Sequence, residues 1–302
     1  MKSISILIAF SFGNESSPIR FSKHDRFLVR LYLEPLNMYS KLQLTKKYIQ
    51  YHITGSNKKG HGIHSPFVFD FIRNVLNDRG EYDSYQMVES VRTHLLKDHT
   101  VLDVEDFGAG SGVTKSRQKK VRDIARYAAK PKKFGQLLFR IVQHYHPRTT
   151  IELGTSLGLT TSYLALAYYD GTVHTLEGAP NVASIAKKHF QQLNLKNIGV
   201  TEGNFDDTLP GVLESISNID LAFLDGNHRK EPTLRYFNQL LKKINASSIV
   251  IFDDIHWSTD MEDAWETIKA NPDVKLSIDL FFMGLVFFRD EFKTKQHFTI
   301  RF

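Results

Sequence analysis

The chain has 302 residues, 41% of them apolar and 24% charged, a composition that fits a soluble globular protein with one large domain and an appendage. It contains no cysteine, which excludes disulfides, thiolate nucleophiles, zinc–thiolate sites and iron–sulfur clusters; a reducing, cytoplasmic location is expected. The net charge of +6 is divided unevenly, with 24 Lys+Arg against 13 Asp+Glu in residues 1–147 and 15 against 20 in residues 148–302. That basic front half reads either as a solvated helical appendage or as a surface for RNA. No apolar run reaches the ~18–20 residues that span a bilayer, so no membrane partner is expected.

In chain order, residues 1–37 show no period and are expected to be a poorly ordered extension. Met1 to Phe10 resembles a signal peptide only faintly, and Met38 is an alternative start. Tyr39, Leu42, Leu44, Tyr48 and Ile49 predict a basic amphipathic helix over 39–51. A breaker-rich loop with His61 and His64 follows, and Ser65-Pro66 opens a helix over 67–76. Its Phe67, Phe69 and Phe71 are too apolar for solvent and point to internal docking or a homodimer.

Residues 101–112 end in Asp106-Phe107-Gly108-Ala109-Gly110-Ser111-Gly112, the spelling of a cofactor-binding glycine loop. Its context is wrong, since the presumed strand carries three acids and the following residues are basic. It reads as a flexible loop. Helices are expected at 121–130 and 134–145.

Strand and helix then alternate. Strands are expected at 149–154, 172–177, 198–202, 219–225 and 247–253, helices at 158–169, 180–193, 208–216, 230–243 and 260–270. Two closely joined strands at 274–281 and 284–289 finish the chain. This rhythm predicts an α/β fold with a doubly wound, Rossmann-like seven-stranded sheet whose last strand is reversed, after a mainly helical N-terminal region. Domains are expected at 38–130, a helical cap, and 131–302, the catalytic domain.

In such a sheet ligands lie at the carboxyl ends of the strands. The first end reads Glu152-Leu153-Gly154-Thr155-Ser156-Leu157-Gly158, a strand, a glycine turn and then the start of a helix at Thr160. The second ends in Glu177-Gly178, 23 residues after Gly154, where a carboxylate can accept both hydroxyls of a ribose. The third ends at Glu202-Gly203-Asn204-Phe205-Asp206, the fourth at Asp225-Gly226-Asn227-His228, and the fifth at Asp253-Asp254-Ile255-His256. Acids at four consecutive strand ends are poorly explained by packing.

These residues resemble class I S-adenosylmethionine-dependent methyltransferases, in particular the catechol and caffeoyl-CoA O-methyltransferase type. The resemblance covers about 131–302. It implies S-adenosylmethionine as cofactor, held by Glu152, Gly154, Thr155, Ser156, Gly158, Thr160, Glu177, Gly178, Asn204, Phe205 and Asp225. It also implies Mg²⁺ on Asp225, Asp253 and Asp254, three hard oxygen donors. His228, with His256 as rival, stands where that type places its general base. The expected reaction is methylation of a small-molecule hydroxyl. RNA as acceptor, or a non-catalytic protein on the same fold, are the alternatives.

Overall fold

Residues 38–56, 64–104 and 118–302 are described by the structure, a computed structural model. Residues 1–37, His61 and the glycine run 108–112 lie outside them. Helix α1 (Lys41–Thr54) opens on a capping box, in which Ser40 and Gln43 satisfy each other's backbone N–H. Ser65 caps α2 (Pro66–Phe71), with Pro66 at the first helical position, as the sequence predicts. This helix runs on into one π-turn, Ile72–Leu76, and the buried Arg140 Nε donates to the Val75 carbonyl at 2.7 Å.

Helix α3 (Asp83–Leu95) was not expected. It buries only Val88, Val91 and Leu95 among polar neighbours, too sparse a stripe to show as a period. Strands β1 (Val101–Asp103) and β2 (Gln118–Lys120) pair antiparallel in a ribbon separate from the main sheet. The strand before the glycine run is therefore real but three residues long, and it has no place in a cofactor-binding sheet. Helices α4 (Val121–Tyr127) and α5 (Lys132–Tyr145) complete the front half.

The alternating half contains β3 (Thr149–Leu153), α6 (Leu159–Ala167), β4 (Thr172–Glu177), α7 (Pro180–Gln192), β5 (Ile198–Glu202), α8 (Phe205–Ser215), β6 (Ile219–Leu224), α9 (Lys230–Leu240), β7 (Ile244–Asp253), α10 (Thr259–Ala270), β8 (Leu276–Asp279), β9 (Met283–Phe287) and β10 (Gln296–Thr299). The strands form one sheet in the order β10-β8-β9-β7-β6-β3-β4-β5. β9 alone runs against its neighbours, between β7 and β8, as the tight β8–β9 connection requires. The sheet has eight strands rather than seven. The extra one, β10, adds parallel to β8 at the edge, and its Gln-His-Phe-Thr sequence carries no strand signature.

Both faces of the sheet are covered, and strand side chains alternate between them. In β6, Leu221 and Phe223 face a core shared with α2–α7, while Ile219, Ala222 and Leu224 face α8–α10. The front-half helices belong to the first core: Val68, Phe71, Val88 and Ile124 cluster with Leu137, Leu164 and Phe287. Residues 39–302 form one compact unit. The aromatics of α2 are mostly inside. Phe71 is fully buried and Phe67 meets Phe287 and Phe292 edge-on, which leaves only Phe69 exposed.

Candidate active site

Strand ends β3 and β6 approach each other so closely that a side chain at the turn is forbidden. A Cβ on Gly154, whose φ is +105°, would lie 2.2 Å from the Asp225 carbonyl oxygen. The Asp225 N–H donates to the Leu153 carbonyl at 2.9 Å and seals that approach. The turn continues through Ser156 in the left-handed region (φ 49°) to Gly158 (φ 79°), which caps α6 without any side-chain hydrogen bond.

Glu177 closes the turn from β4. One carboxylate oxygen accepts from the Ser156 N–H at 2.7 Å and the other from the Ala179 N–H at 2.9 Å. The acid expected to face a ribose thus stands against the glycine turn, half-buried, with its position fixed by two backbone donors. Gly178 follows it, also half-buried. Asn204 caps α8 by accepting from the Asp206 N–H, and the Phe205 ring lies edge-on to Tyr236. A Cβ on Gly226 would come within 2.6 Å of the Phe205 ring, so this glycine makes room for the aromatic at the mouth of the sheet.

Two residues of the first strand end take a different place from the one the resemblance implies. Glu152 is fully buried, and one of its oxygens accepts from the Thr161 hydroxyl at 2.5 Å and the Thr175 hydroxyl at 2.6 Å. Burial pushes its carboxyl up to about 8 against the pull of the two threonines. The Thr155 hydroxyl meets that of Thr175 at 2.6 Å and is likewise buried. Glu152 and Thr155 therefore brace β3, β4 and α6 from inside and do not line the mouth. Thr160, 8% exposed on the first turn of α6, is nearly as enclosed.

The fourth and fifth strand ends converge. Asp225 Oδ1 lies 3.5 Å from His228 Nε2, and donor atoms of Asp225, His228 and Asp253 all lie within 4.8 Å of one another. Asp254 is not in that cluster; it sits in the left-handed region (φ 52°), with its N–H donating to the Phe282 carbonyl at 2.7 Å. The residue that completes the cluster is one the sequence does not disclose. Lys130 places its ammonium in contact with Asp253 Oδ2 and 3.7 Å from Asp225 Oδ2. Burial lowers its pKa, but Asp225, Asp253 and Asp254 more than offset this and raise it on balance. Burial, with Asp225 and Asp254 nearby, holds the Asp253 carboxyl well above the usual carboxylate range despite the pull of Lys130. We take the ion pair as the resting form, because a buried ammonium without its counter-charge is the costlier state.

His256 cannot serve as a base in this arrangement. Its Nδ1 pairs with Glu262 Oε1 at 2.9 Å and its Nε2 with Asp279 Oδ2 at 2.8 Å. Burial would lower its pKa, but the Asp279 and Glu262 carboxylates outweigh burial and raise it. Both ring nitrogens of His256 are thus engaged by carboxylates, and among the two histidines only His228, about a quarter exposed, faces the acidic mouth.

Residues 151–255, the span from β3 past the end of β7, match the family model described as a methyltransferase domain. The match covers about a third of the chain and five of the eight strands of the sheet. Its span takes in all five strand ends described above. The uncharacterized protein R132 of Acanthamoeba polyphaga mimivirus is 24% identical over 135 residues, 41% of this chain and 60% of that protein. Among solved structures, the S-adenosylhomocysteine-bound methyltransferase PaMTH1 of Podospora anserina is similar at a TM-score of 0.52 and 14% identity, covering 91% of this chain and 100% of that one. An O-methyltransferase from Bacillus cereus in complex with S-adenosylhomocysteine is similar at 0.49 and 22% identity, over 73% and 97% of the two chains. At 14% identity the likeness to PaMTH1 is one of fold.

The expected Mg²⁺ does not fit this site as it stands. Asp225 and Asp253 have suitable hard oxygen donors, but the space they share holds the Lys130 ammonium, and Asp254 is not one of the clustered ligands. The nucleotide end is different. The backbone-fixed carboxylate of Glu177 beside a turn with no side chain at Gly154 fits a ribose diol.

Proposed function

We propose that this chain is an S-adenosylmethionine-dependent methyltransferase acting on a hydroxyl oxygen of a small molecule. The observation that carries the reading is the Glu177 carboxylate, pinned by the Ser156 and Ala179 N–H groups across the Gly154 turn of a methyltransferase domain. When bound, S-adenosylmethionine supplies an electrophilic methyl group on a sulfonium that leaves as a neutral thioether. Glu177 would accept the ribose hydroxyls, while Asn204 and Phe205 would border the adenine. Gly154, Ser156, Gly158 and Gly178 keep the backbone close to the ligand.

On the acceptor side, His228 is the general base. Its imidazole is exposed enough to exchange protons with solvent, and Asp225 at 3.5 Å orients it and stabilises the charge it gains. The remainder of the domain aligns acceptor and methyl donor.

Calorimetric titration with S-adenosylmethionine tests the first half of the reading. The wild-type chain binds, and E177Q weakens binding by roughly 10- to 100-fold, the worth of charge-assisted hydrogen bonds of about 1.5–3 kcal/mol. No binding by the wild type would refute it. Release of S-adenosylhomocysteine across a panel of hydroxyl acceptors tests the second half. Turnover on RNA alone would overturn the small-molecule assignment.

A further inference from the structure

We propose that Lys130 is the built-in cation of this site: its ammonium takes the position between Asp225 and Asp253 that a divalent ion would need, and it presents one N–H to a single acceptor oxygen. The acceptor clause rests on the methyltransferase reading; the cation clause does not.

Geometry carries the argument. The Lys130 Nζ touches Asp253 Oδ2 and lies 3.7 Å from Asp225 Oδ2, and its side chain is only 11% exposed. Asp253 is the most enclosed acid of the cluster, and its second oxygen, Oδ1, is buried without a partner. Mg²⁺ requires near-octahedral oxygen ligation and keeps several waters. A buried ammonium in the same space removes the room for those waters and repels the ion.

Lys130 is not a surface lysine that has fallen inward. Its carbonyl accepts from Arg92 Nη2 at 2.9 Å, and the Arg92 guanidinium is held by Glu89 at 3.1 Å. Glu89 in turn accepts from the hydroxyl of the fully buried Tyr163 on α6, at 2.8 Å. Pro131 then fixes the chain at the start of α5. The front half of the chain thus delivers one cation to the acid pair through a braced backbone.

The substrate class follows from the donor count. A metal with open positions clamps two neighbouring oxygens at once. An ammonium has three N–H donors; one bonds Asp253 Oδ2, and the ion pair with Asp225 Oδ2 at 3.7 Å draws on a second. The third can hold only one oxygen, which favours an isolated hydroxyl over a vicinal pair.

Mn²⁺ binding to the full chain, read by the loss of its free-ion electron paramagnetic resonance signal, tests the cation clause without any turnover. The wild type is expected to leave the signal unchanged. K130A vacates the position and is expected to take up about one equivalent, with Asp225, His228 and Asp253 as ligands, and K130A/D253N to lose that uptake. Mn²⁺ uptake by the wild type that D253N abolishes would overturn the proposal, as would no uptake by a folded K130A. K130M keeps the bulk of the side chain and replaces K130A if the latter does not fold. Once an acceptor is known, the wild type is expected to keep its turnover in EDTA and to prefer a monohydric acceptor to its vicinal diol. Loss of turnover in EDTA would overturn the proposal. Binding of S-adenosylmethionine, measured on the same preparations, separates failure of this inference from failure of the methyltransferase reading.

Discussion

Glu152 shows how one residue type can serve opposite ends at neighbouring positions. It is an acid at a strand end, as Glu177 is, yet its carboxyl is enclosed by Thr161 and Thr175 and is pushed from 4.5 to about 8 by burial. A carboxyl raised in the folded state binds a proton that the unfolded chain has released, so its contribution to stability falls as pH rises from 4.5 towards 8. Replacing it with the neutral isostere removes that slope. E152Q is expected to gain stability relative to wild type between pH 5 and 8, by a few kcal/mol at most, since a tenfold change in proton affinity is worth about 1.36 kcal/mol. Urea denaturation at both pH values measures this, and parallel behaviour of the two proteins would show that Glu152 is ionised in the fold. Asp253 predicts the opposite sensitivity. D253N removes the one carboxylate in contact with the buried Lys130 ammonium and leaves Asp225 at 3.7 Å as its nearest counter-charge, and breaking a buried pair from one side costs about 3–5 kcal/mol. A loss under about 1 kcal/mol in the same denaturation assay would mean that the pair is not formed.

At the scale of elements, the strands of the alternating half were legible because their apolar β-branched runs are short, bounded and regularly spaced. Residues 172–177 and 198–202 match the observed strands, and the reversal of β9 follows from a connection too short for a crossover. What was hidden depends on tertiary placement. β10 is a polar edge strand, α3 buries three residues, and Lys130 stands 123 positions from Asp253 with no local mark of its partner. The acids themselves were visible, but which of them face the mouth was not, because that depends on what surrounds each carboxyl. Helix α1 illustrates a further long-range link. The Tyr39 hydroxyl and Lys47 Nζ both bond Glu262 on α10, at 2.5 and 2.9 Å, and Glu262 also holds His256. Burial lowers the His256 pKa, but Asp279 and Glu262 raise it on balance, so its contribution is complete below its ordinary pKa of about 6.5 and is lost as pH rises above it. Burial raises Glu262, while Tyr39, Lys47 and His256 together lower it, so its contribution is present above 4.5 and lost in stronger acid. Amide exchange is therefore expected to show α1 opening more readily at pH 8 than at pH 6, after correction for intrinsic exchange. In H256Q this difference should vanish; an unchanged difference would place the titrating group elsewhere.

For the molecule as a whole, the front-half helices complete the alternating half. Leu137, Leu138 and Ile141 of α5 are buried in the same core as Val68, Phe71 and Val88, and the sheet residues Phe223, Ile251 and Leu285 belong to it too. Residues 131–302 alone would expose this face, an apolar surface of the kind that drives aggregation. The same helices hold Lys130 through Arg92 and Glu89, so the acid pair depends on them for its charge balance as well. Residues 39–302 are accordingly expected to unfold in one cooperative transition, with calorimetric and van't Hoff enthalpies in agreement. A fragment beginning at residue 131 should be aggregated or molten, because it loses one wall of its core together with the counter-charge of Asp253. A folded, monomeric 131–302 with sharp side-chain resonances would show that the sheet needs only its other face covered.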